Sequence, residues 1–292
     1  MHNRAGMKTV VLGTCLLVSV SAQAGAPSAP PDDWDLRWMV GAPTAEPKTT
    51  PPETPKLRAL GRSLFEQRCA GCHGQKGDGL GPHAARLAVR PTNFTVGVYK
   101  LRSTPTGSIP TDRDLFITLT RGVHGTPMLP WKALSEEQRW ALVYQLKSLS
   151  VRFREERPSH PITVPAPPKE DRPLRERGSA LYAKLLCARC HGEEGAGNGA
   201  AARAYEQTAD RQVRPRDFTR GRFIRGAEME DLYLTLRTGL EGTPMAAYDT
   251  LRDDEIWAIA AYVRSLVRER PLYDLPPART HARADDGRSP AR

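Results

Sequence analysis

The sequence predicts an all-α protein that contains two copies of one fold. Apolar residues recur at helical spacing and would share one face of a helix, as in the set Leu174, Gly178, Leu181, Tyr182 and Leu185. No stretch shows the sustained apolar–polar alternation that is typical of a half-buried strand. Several segments also occur twice, which indicates a duplication, so we expect the two halves to fold alike. The repeats include GTPM at 125–128 and 242–245, PTNFT at 91–95 matched by PRDFT at 215–219, and Trp140 matched by Trp257.

Residues 1–24 have the pattern of a secretory signal peptide. Arg4 and Lys8 supply a basic start, an apolar run follows over 10–20, and Ala22-Gln23-Ala24 forms a cleavage site. The apolar run is shorter than the ~20 residues that cross a bilayer. We therefore expect export to the periplasm, with Cys15 removed together with the signal.

The remaining chain divides into two lobes and three less regular segments. A length of 292 residues suits two domains of about 100–150 residues each. Trp34 and Trp38 predict that the leader docks on a folded lobe, because a purely solvated segment rarely carries two indoles. The predicted boundaries are a Pro-rich leader at 25–56, lobe one at 57–151, a Pro-rich linker at 152–173, lobe two at 174–269 and a disordered tail at 270–292.

The last helix of lobe one carries a start signal and an apolar face. Ser135 and Gln138 form the S-x-x-Q pattern of a capping box, which predicts that the helix begins there. We expect the last helix of each lobe to turn its apolar face towards the core of that lobe. The core positions are Leu142, Val143, Leu146 and Leu149 in lobe one, and Ile259, Ala260, Val263 and Leu266 in lobe two.

Each lobe contains one C-x-x-C-H motif, which is the signature of covalent haem attachment. Two thiols at this spacing can bind one porphyrin as thioethers, and the next residue presents its imidazole to the iron. A disulfide oxidoreductase would need a βαβ context, which the sequence lacks. A zinc site would need a second cysteine pair nearby, and neither lobe has one. The sequence thus predicts two covalently bound haems c, attached through Cys69, Cys72, Cys187 and Cys190 and ligated by His73 and His191.

The second ligand of each iron is predicted to be the methionine of the repeated GTPM segment. Met128 and Met245 recur at the same place in both lobes, in a Gly-Thr-Pro turn that can aim a thioether at the iron. His83 and His124 compete for this role in lobe one, but neither is matched by a histidine in lobe two. We expect both to be surface residues.

Other side chains are candidates for contacts to the haem propionates. Trp131 and Tyr248 each follow the predicted methionine ligand by three residues. Four arginines are further candidates, with solvated surface charge as the alternative: Arg90, Arg102, Arg214 and Arg216.

In these residues each lobe resembles a class I cytochrome c. The shared features are a helix with Gly61 and Phe65, or Gly178 and Tyr182, then C-x-x-C-H, a distal methionine and a C-terminal amphipathic helix. The resemblance implies that the glycine and the aromatic ring pack where the first and last helices cross, close to the haem. The tandem arrangement is similar to that of the periplasmic dihaem cytochromes c.

The resemblance implies one-electron transfer rather than catalysis. His/Met ligation fills both axial positions of the iron and raises the reduction potential. The expected partners are redox proteins such as a respiratory oxidase, reductase or dehydrogenase. The carrier would work as a subunit of a larger, membrane-associated respiratory complex, with the leader and tail as its docking parts. One alternative is an enzyme, either a dihaem peroxidase or an enzyme that oxidises a small sulfur compound, and it would need an iron ligand that substrate can displace. A second alternative is a sensor, which would need a signalling segment.

The net charge of +10 at first suggests nucleic acid as a partner. Loss of Arg4 and Lys8 with the signal lowers the charge to +8. Two haems with ionised propionates lower it further, to roughly +4 to +6. This residual charge favours steering towards an acidic redox partner, and we expect no binding to nucleic acid.

Overall fold

A computed structural model describes residue 47, residues 49–202 and residues 214–268. Over these ranges the regular secondary structure is helical and contains no strand, which confirms the predicted all-α class. Within the same ranges, no helix has the length and apolar character needed to cross a bilayer. The predicted signal, Trp34 and Trp38 of the leader, and the predicted tail lie outside the described residues.

The two lobes share four α-helices in the same order, and within the described residues lobe one has one further short helix at its end. Lobe one contains α1 (Pro55–Arg68), α2 (Ala70–His73), a 3-10 turn (Ala84–Arg86), α3 (Asp112–Arg121), α4 (Glu136–Leu149) and the short α5 (Arg152–Glu155). Lobe two contains α6 (Arg172–Lys184), α7 (Ala188–His191), a 3-10 turn (Phe218–Arg220), α8 (Met229–Thr238) and α9 (Asp253–Ser265).

Side-chain caps begin the three longer helices of lobe one. Ser135 and Gln138 form the predicted capping box at the start of α4, with Ser135 Oγ accepting from the Gln138 amide at 3.2 Å. Thr111 and Asp114 form a second capping box at α3. Both caps satisfy amide groups that have no partner inside the helix.

The first and last helices of each lobe cross at a glycine. A Cβ atom on Gly61 of α1 would lie 2.1 Å from the carbonyl oxygen of Ala141 in α4. On Gly178 of α6 it would lie 1.9 Å from the carbonyl oxygen of Ala258 in α9. Only glycine permits so close an approach of the two backbones.

Each lobe has its own apolar core beneath this crossing. Trp140 packs on Phe116 with ring centroids 4.7 Å apart, and Trp257 packs on Tyr233 at 4.5 Å. Six of the eight predicted core positions are buried, and the last one in each helix is half-buried because it lies at the helix end. The buried six are Leu142, Val143, Leu146, Ile259, Ala260 and Val263.

The Pro-rich linker has no regular structure over 156–171, yet it is held against both lobes. The Ile162 amide donates to the carbonyl of Ser103 in lobe one at 2.8 Å. The Ile162 and Val164 side chains pack against the core of lobe two. The linker therefore contributes to the contact between the lobes.

Arg102 lies in the contact between the lobes, and its side chain is fully buried. Its guanidinium donates to the carbonyls of Tyr99 and Thr238, both at 3.1 Å, and pairs with the Glu241 carboxylate at 3.3 Å. Thr238 and Glu241 belong to lobe two. The predicted role of Arg102 as a propionate partner is therefore wrong, because its donors bind protein groups of both lobes.

Two further arginines strengthen this contact. Arg121 of lobe one pairs with the carboxylate of Asp231 in lobe two at 3.0 Å. Arg225 of lobe two donates to the carbonyl of Arg102 at 2.8 Å. Burial raises the pKa of Asp231, and the charges of Arg121 and Arg225 oppose that rise.

Candidate functional site

The C-x-x-C-H motif of lobe one forms a single helical turn directly after α1. The chain bends at Cys69, and the His73 amide donates back to the Cys69 carbonyl at 2.9 Å. Cys69 and Cys72 are half-buried and form no disulfide. Burial and the neighbouring Cys72 raise the pKa of Cys69 to about 12, so this thiol is protonated at neutral pH.

Lobe two repeats this arrangement after α6. Cys187 and Cys190 are half-buried free thiols, and the His191 amide donates to the Cys187 carbonyl at 2.9 Å. Burial raises the pKa of Cys187, while a hydrogen bond from Tyr248 opposes the rise. Within the described residues no group of three or more His, Cys, Asp or Glu side chains is arranged to hold a metal ion.

Both predicted proximal histidines are oriented by a backbone carbonyl. The Nδ1 atom of His73 lies 3.1 Å from the carbonyl oxygen of Thr92, and that of His191 lies 3.2 Å from the carbonyl oxygen of Arg216. Burial lowers the pKa of both imidazoles, so the neutral form is favoured. A neutral ring that donates from Nδ1 leaves the Nε2 lone pair free for a metal.

A phenylalanine stacks on each of these imidazoles. Phe94 lies on His73 with centroids 4.6 Å apart, and Phe218 lies on His191 at 4.4 Å. Both rings belong to the repeated PTNFT and PRDFT segments, whose role the sequence did not reveal. The signal that points to them is the recurrence of a phenylalanine, three residues after a proline, at the same place in both lobes.

The two GTPM segments form loops with the same hydrogen bonds. In lobe one the Val123 amide donates to the Met128 carbonyl at 2.9 Å, and the Met128 amide donates to Thr126 Oγ1 at 3.2 Å. In lobe two the corresponding pairs are Leu240 to Met245 at 3.0 Å and Met245 to Thr243 at 3.2 Å. The threonine thus fixes the backbone of each methionine.

The structure places three of the predicted haem-contact residues of each lobe against the core of that lobe. Cys69, Met128 and Trp131 are half-buried around the core of lobe one. Cys187, Met245 and Tyr248 occupy the corresponding positions around the core of lobe two.

Lobe one contains buried donors that suit the acid groups of a haem. The Trp131 Nε1 and Tyr99 hydroxyl atoms are buried and have no hydrogen-bond partner among the described residues. Buried donors without a protein acceptor indicate a bound group. The donor set therefore fits a haem, and for Trp131 it supports the predicted propionate contact. Tyr248 differs, because its hydroxyl hydrogen-bonds to Cys187.

The competing histidines and the remaining arginines have other surroundings. His83 is exposed, as predicted. His124 is half-buried and hydrogen-bonds to the backbone of Phe223 in lobe two, so its prediction as a surface residue is wrong because the second lobe covers it. Arg90 and Arg214 are exposed, and their propionate contacts stay predictions.

Comparisons with known proteins agree with this geometry. The sequence matches the cytochrome c family over residues 58–150 and again over residues 175–267. It is also similar to a chain of the Kuenenia stuttgartiensis reducing HAO-like protein complex Kustc0457/Kustc0458, with 39% identity and a TM-score of 0.70. That alignment covers 75% of this chain and 99% of the other. No curated protein matches the sequence.

Proposed function

The chain belongs to the cytochrome c family, with two tandem cytochrome c domains that imply covalently bound haem c, and from this premise we propose that it carries single electrons between redox proteins. The observation that carries the proposal is the duplicated set of thiols, imidazole and thioether around each core. The haem of lobe one would be held by Cys69, Cys72, His73 and Met128. The haem of lobe two would be held by Cys187, Cys190, His191 and Met245.

A haem bound in this way supplies an iron that accepts and releases one electron. The protein's residues keep that iron in one coordination state. The carbonyls of Thr92 and Arg216 orient His73 and His191, and the loop threonines hold the backbones of Met128 and Met245. Ligands fixed in this way change position little with the charge of the iron, which suits a carrier.

We further propose that the protein is exported to the periplasm and works beside a larger redox enzyme. The signal-like residues 1–24 support export. The solved relative at 39% identity belongs to a reducing HAO-like protein complex, which supports association with other redox proteins.

Replacement of the predicted methionine ligands tests this proposal. In the ferric holoprotein a thioether–iron charge-transfer band is expected for each haem. Met128→Ala should remove this band for one haem, and Met245→Ala should remove it for the other. Met229→Leu is the matched control, because Met229 is only 3% exposed and packs in the core of lobe two. Its replacement should leave both bands in place.

Ligand binding separates the carrier from an enzyme. With both axial positions filled, the reduced wild-type protein should bind carbon monoxide slowly at both haems, whereas each alanine variant should bind it rapidly at one haem. Rapid binding by the wild-type protein would contradict the closed sites and favour a dihaem peroxidase.

A further inference from the structure

Arg216 contacts the predicted haem sites of both lobes. Its backbone carbonyl accepts the hydrogen bond from His191 Nδ1 in its own lobe, at 3.2 Å. Its guanidinium extends to lobe one, where Nη1 lies 3.5 Å from the carbonyl oxygen of Gly125. Gly125 begins the Gly-Thr-Pro-Met loop, so one residue touches the proximal ligand of lobe two and the distal loop of lobe one.

The contact with Gly125 is tight. A Cβ atom on this glycine would lie 2.3 Å from Arg216 Nη1 and 3.3 Å from its Cζ atom. Gly125 also has a φ of +71°, which favours glycine. Burial lowers the pKa of Arg216, which agrees with a guanidinium that is held against protein rather than extended into water. The guanidinium therefore lies directly against the backbone at the start of the Met128 loop.

The residue before this glycine supports the same contact. The His124 ring hydrogen-bonds to the backbone of Phe223, and the Phe223 ring packs on Phe218 with centroids 5.8 Å apart. Phe218 is the ring that stacks on His191. Lobe two thus holds the start of the Met128 loop through two neighbouring residues, both connected to the surroundings of His191.

The equivalent residue in lobe one, Thr92, shares with Arg216 the backbone hydrogen bond to a histidine. Thr92 corresponds to Arg216 in the repeat, and its carbonyl accepts from His73 Nδ1 at 3.1 Å. The glycine of the Met245 loop, Gly242, is faced instead by Val98, whose Cγ1 atom would lie 3.4 Å from an added Cβ. A charged group holds the first loop, whereas an apolar contact faces the second.

We propose that Arg216 is a positioning residue that connects the two haem sites, since it holds the Met128 loop of lobe one from lobe two. The inference rests on the proposed ligand set. Loss of its side chain would loosen the loop, so that Met128 leaves the iron more often while His191 keeps its backbone partner. Exogenous imidazole, which binds ferric iron only after the thioether has left, reports this loosening.

The test measures imidazole binding to each haem of the full-length holoprotein. In a Met245→Ala background the remaining charge-transfer band belongs to lobe one. Added imidazole should abolish this band, and Arg216→Ala should make the band disappear several-fold faster. In a Met128→Ala background the band belongs to lobe two, and Arg216→Ala should leave its rate unchanged. Arg222→Ala is the control, because Arg222 is an exposed arginine of the same segment and its loss removes the same charge.

A second readout and a second variant complete the test. Arg216→Ala should lower the reduction potential of the lobe-one haem, because a weaker thioether bond favours ferric iron. Arg216→Lys, which keeps the charge with a smaller donor group, should shift rate and potential in the same direction by less. An unchanged rate at lobe one, an effect confined to lobe two, or an equal effect at both haems would overturn the inference.

The outcome also separates this inference from the proposed function. If Met128→Ala and Met245→Ala do not each remove one band, the ligand set is wrong and the inference fails with it. If both remove one band but Arg216→Ala behaves like Arg222→Ala, the ligand set stands and only the inference fails.

Discussion

Arg102 brings a fully buried positive charge into the contact between the lobes. The charge is tolerated there because carbonyl groups from both lobes and the Glu241 carboxylate surround the guanidinium. Such a group stabilises the folded state only as long as all its partners are present, since a buried charge without a partner is strongly destabilising.

Arg102→Ala should therefore lower the free energy of unfolding by about 3 kcal/mol, because it leaves Glu241 and several buried carbonyls without a donor. Chemical denaturation of the holoprotein measures the change. Arg222→Ala, on an exposed arginine, should cost less than about 0.5 kcal/mol. A loss of similar size in both variants would show that the buried contact contributes little.

At the scale of single residues the sequence indicates which side chains could bind a haem, but it does not indicate their contacts in the folded protein. The cysteines and histidines are predicted from a local motif, and the methionines from their recurrence in the repeated GTPM segment. Arg102 and His124 were misplaced, because their partners Thr238 and Phe223 lie in the other lobe, and no local pattern encodes a contact across so long a separation.

The crossing of the first and last helices determines how each lobe closes around its site. At Gly61 and Gly178 the two helix backbones approach so closely that only a residue without a side chain fits. Phe65 and Tyr182, one turn further along, are buried beneath the crossing. In lobe one the first helix leads directly into the cysteine motif, and in lobe two a further two residues separate the helix from the motif.

Gly61→Ala should destabilise lobe one by about 2–3 kcal/mol, because the helices must separate to admit a Cβ atom now 2.1 Å from the Ala141 oxygen. Helix propensity alone would give the opposite sign, since alanine is the better helix former. Thermal unfolding followed by circular dichroism measures the effect. Glu66→Ala, on the exposed face of the same helix, serves as the control, and a Gly61→Ala protein as stable as this control would exclude a tight crossing.

At the scale of elements, periodicity and capping signals predicted the helices well. The apolar spacing from Leu174 to Leu185 corresponds to α6, and the Ser135 capping box begins α4 as expected. The stacking of Phe94 and Phe218 on the histidines could not be derived in the same way. These rings lie in loops, where neither helical nor strand periodicity indicates which way a side chain points.

On the scale of the whole molecule, the contact between the lobes should weaken in acid. Burial lowers the pKa of His124, and the charges of Arg121, Arg216 and Lys132 lower it further, while its hydrogen bond to Phe223 opposes them. The folded state thus binds a proton at His124 less readily than the unfolded state. Its contribution to stability is present above the ordinary histidine pKa and is lost as the pH falls through that value.

We expect the free energy of unfolding to fall between about pH 7.5 and about pH 5.5, and His124→Gln to make this fall shallower. Denaturant titrations at several pH values give the slope. His83→Gln, at an exposed site, controls for the loss of a histidine as such. A slope that His124→Gln leaves as steep as in the wild-type protein would show that His124 is not responsible.

The sequence predicted two similar lobes, but it did not predict how the lobes meet. Duplication explains the matching helices because each lobe folds around its own core. The contact between them involves Arg102, Arg216 and Arg225, and the repeat pattern does not indicate that any of these arginines lies between the lobes. Their burial depends on the partner surface, and that surface exists only after both lobes have folded.

The difference between Thr92 and Arg216 makes the two lobes of the molecule inequivalent. A dimer of identical chains must place the same side chain at both copies of every position, so its two halves are indistinguishable. Fusion of the copies into one polypeptide removes that constraint: the carbonyls keep one shared task while the side chains diverge. Two chemically identical haems would then have unequal surroundings. The haem at which an electron enters the molecule could therefore differ from the haem at which it leaves.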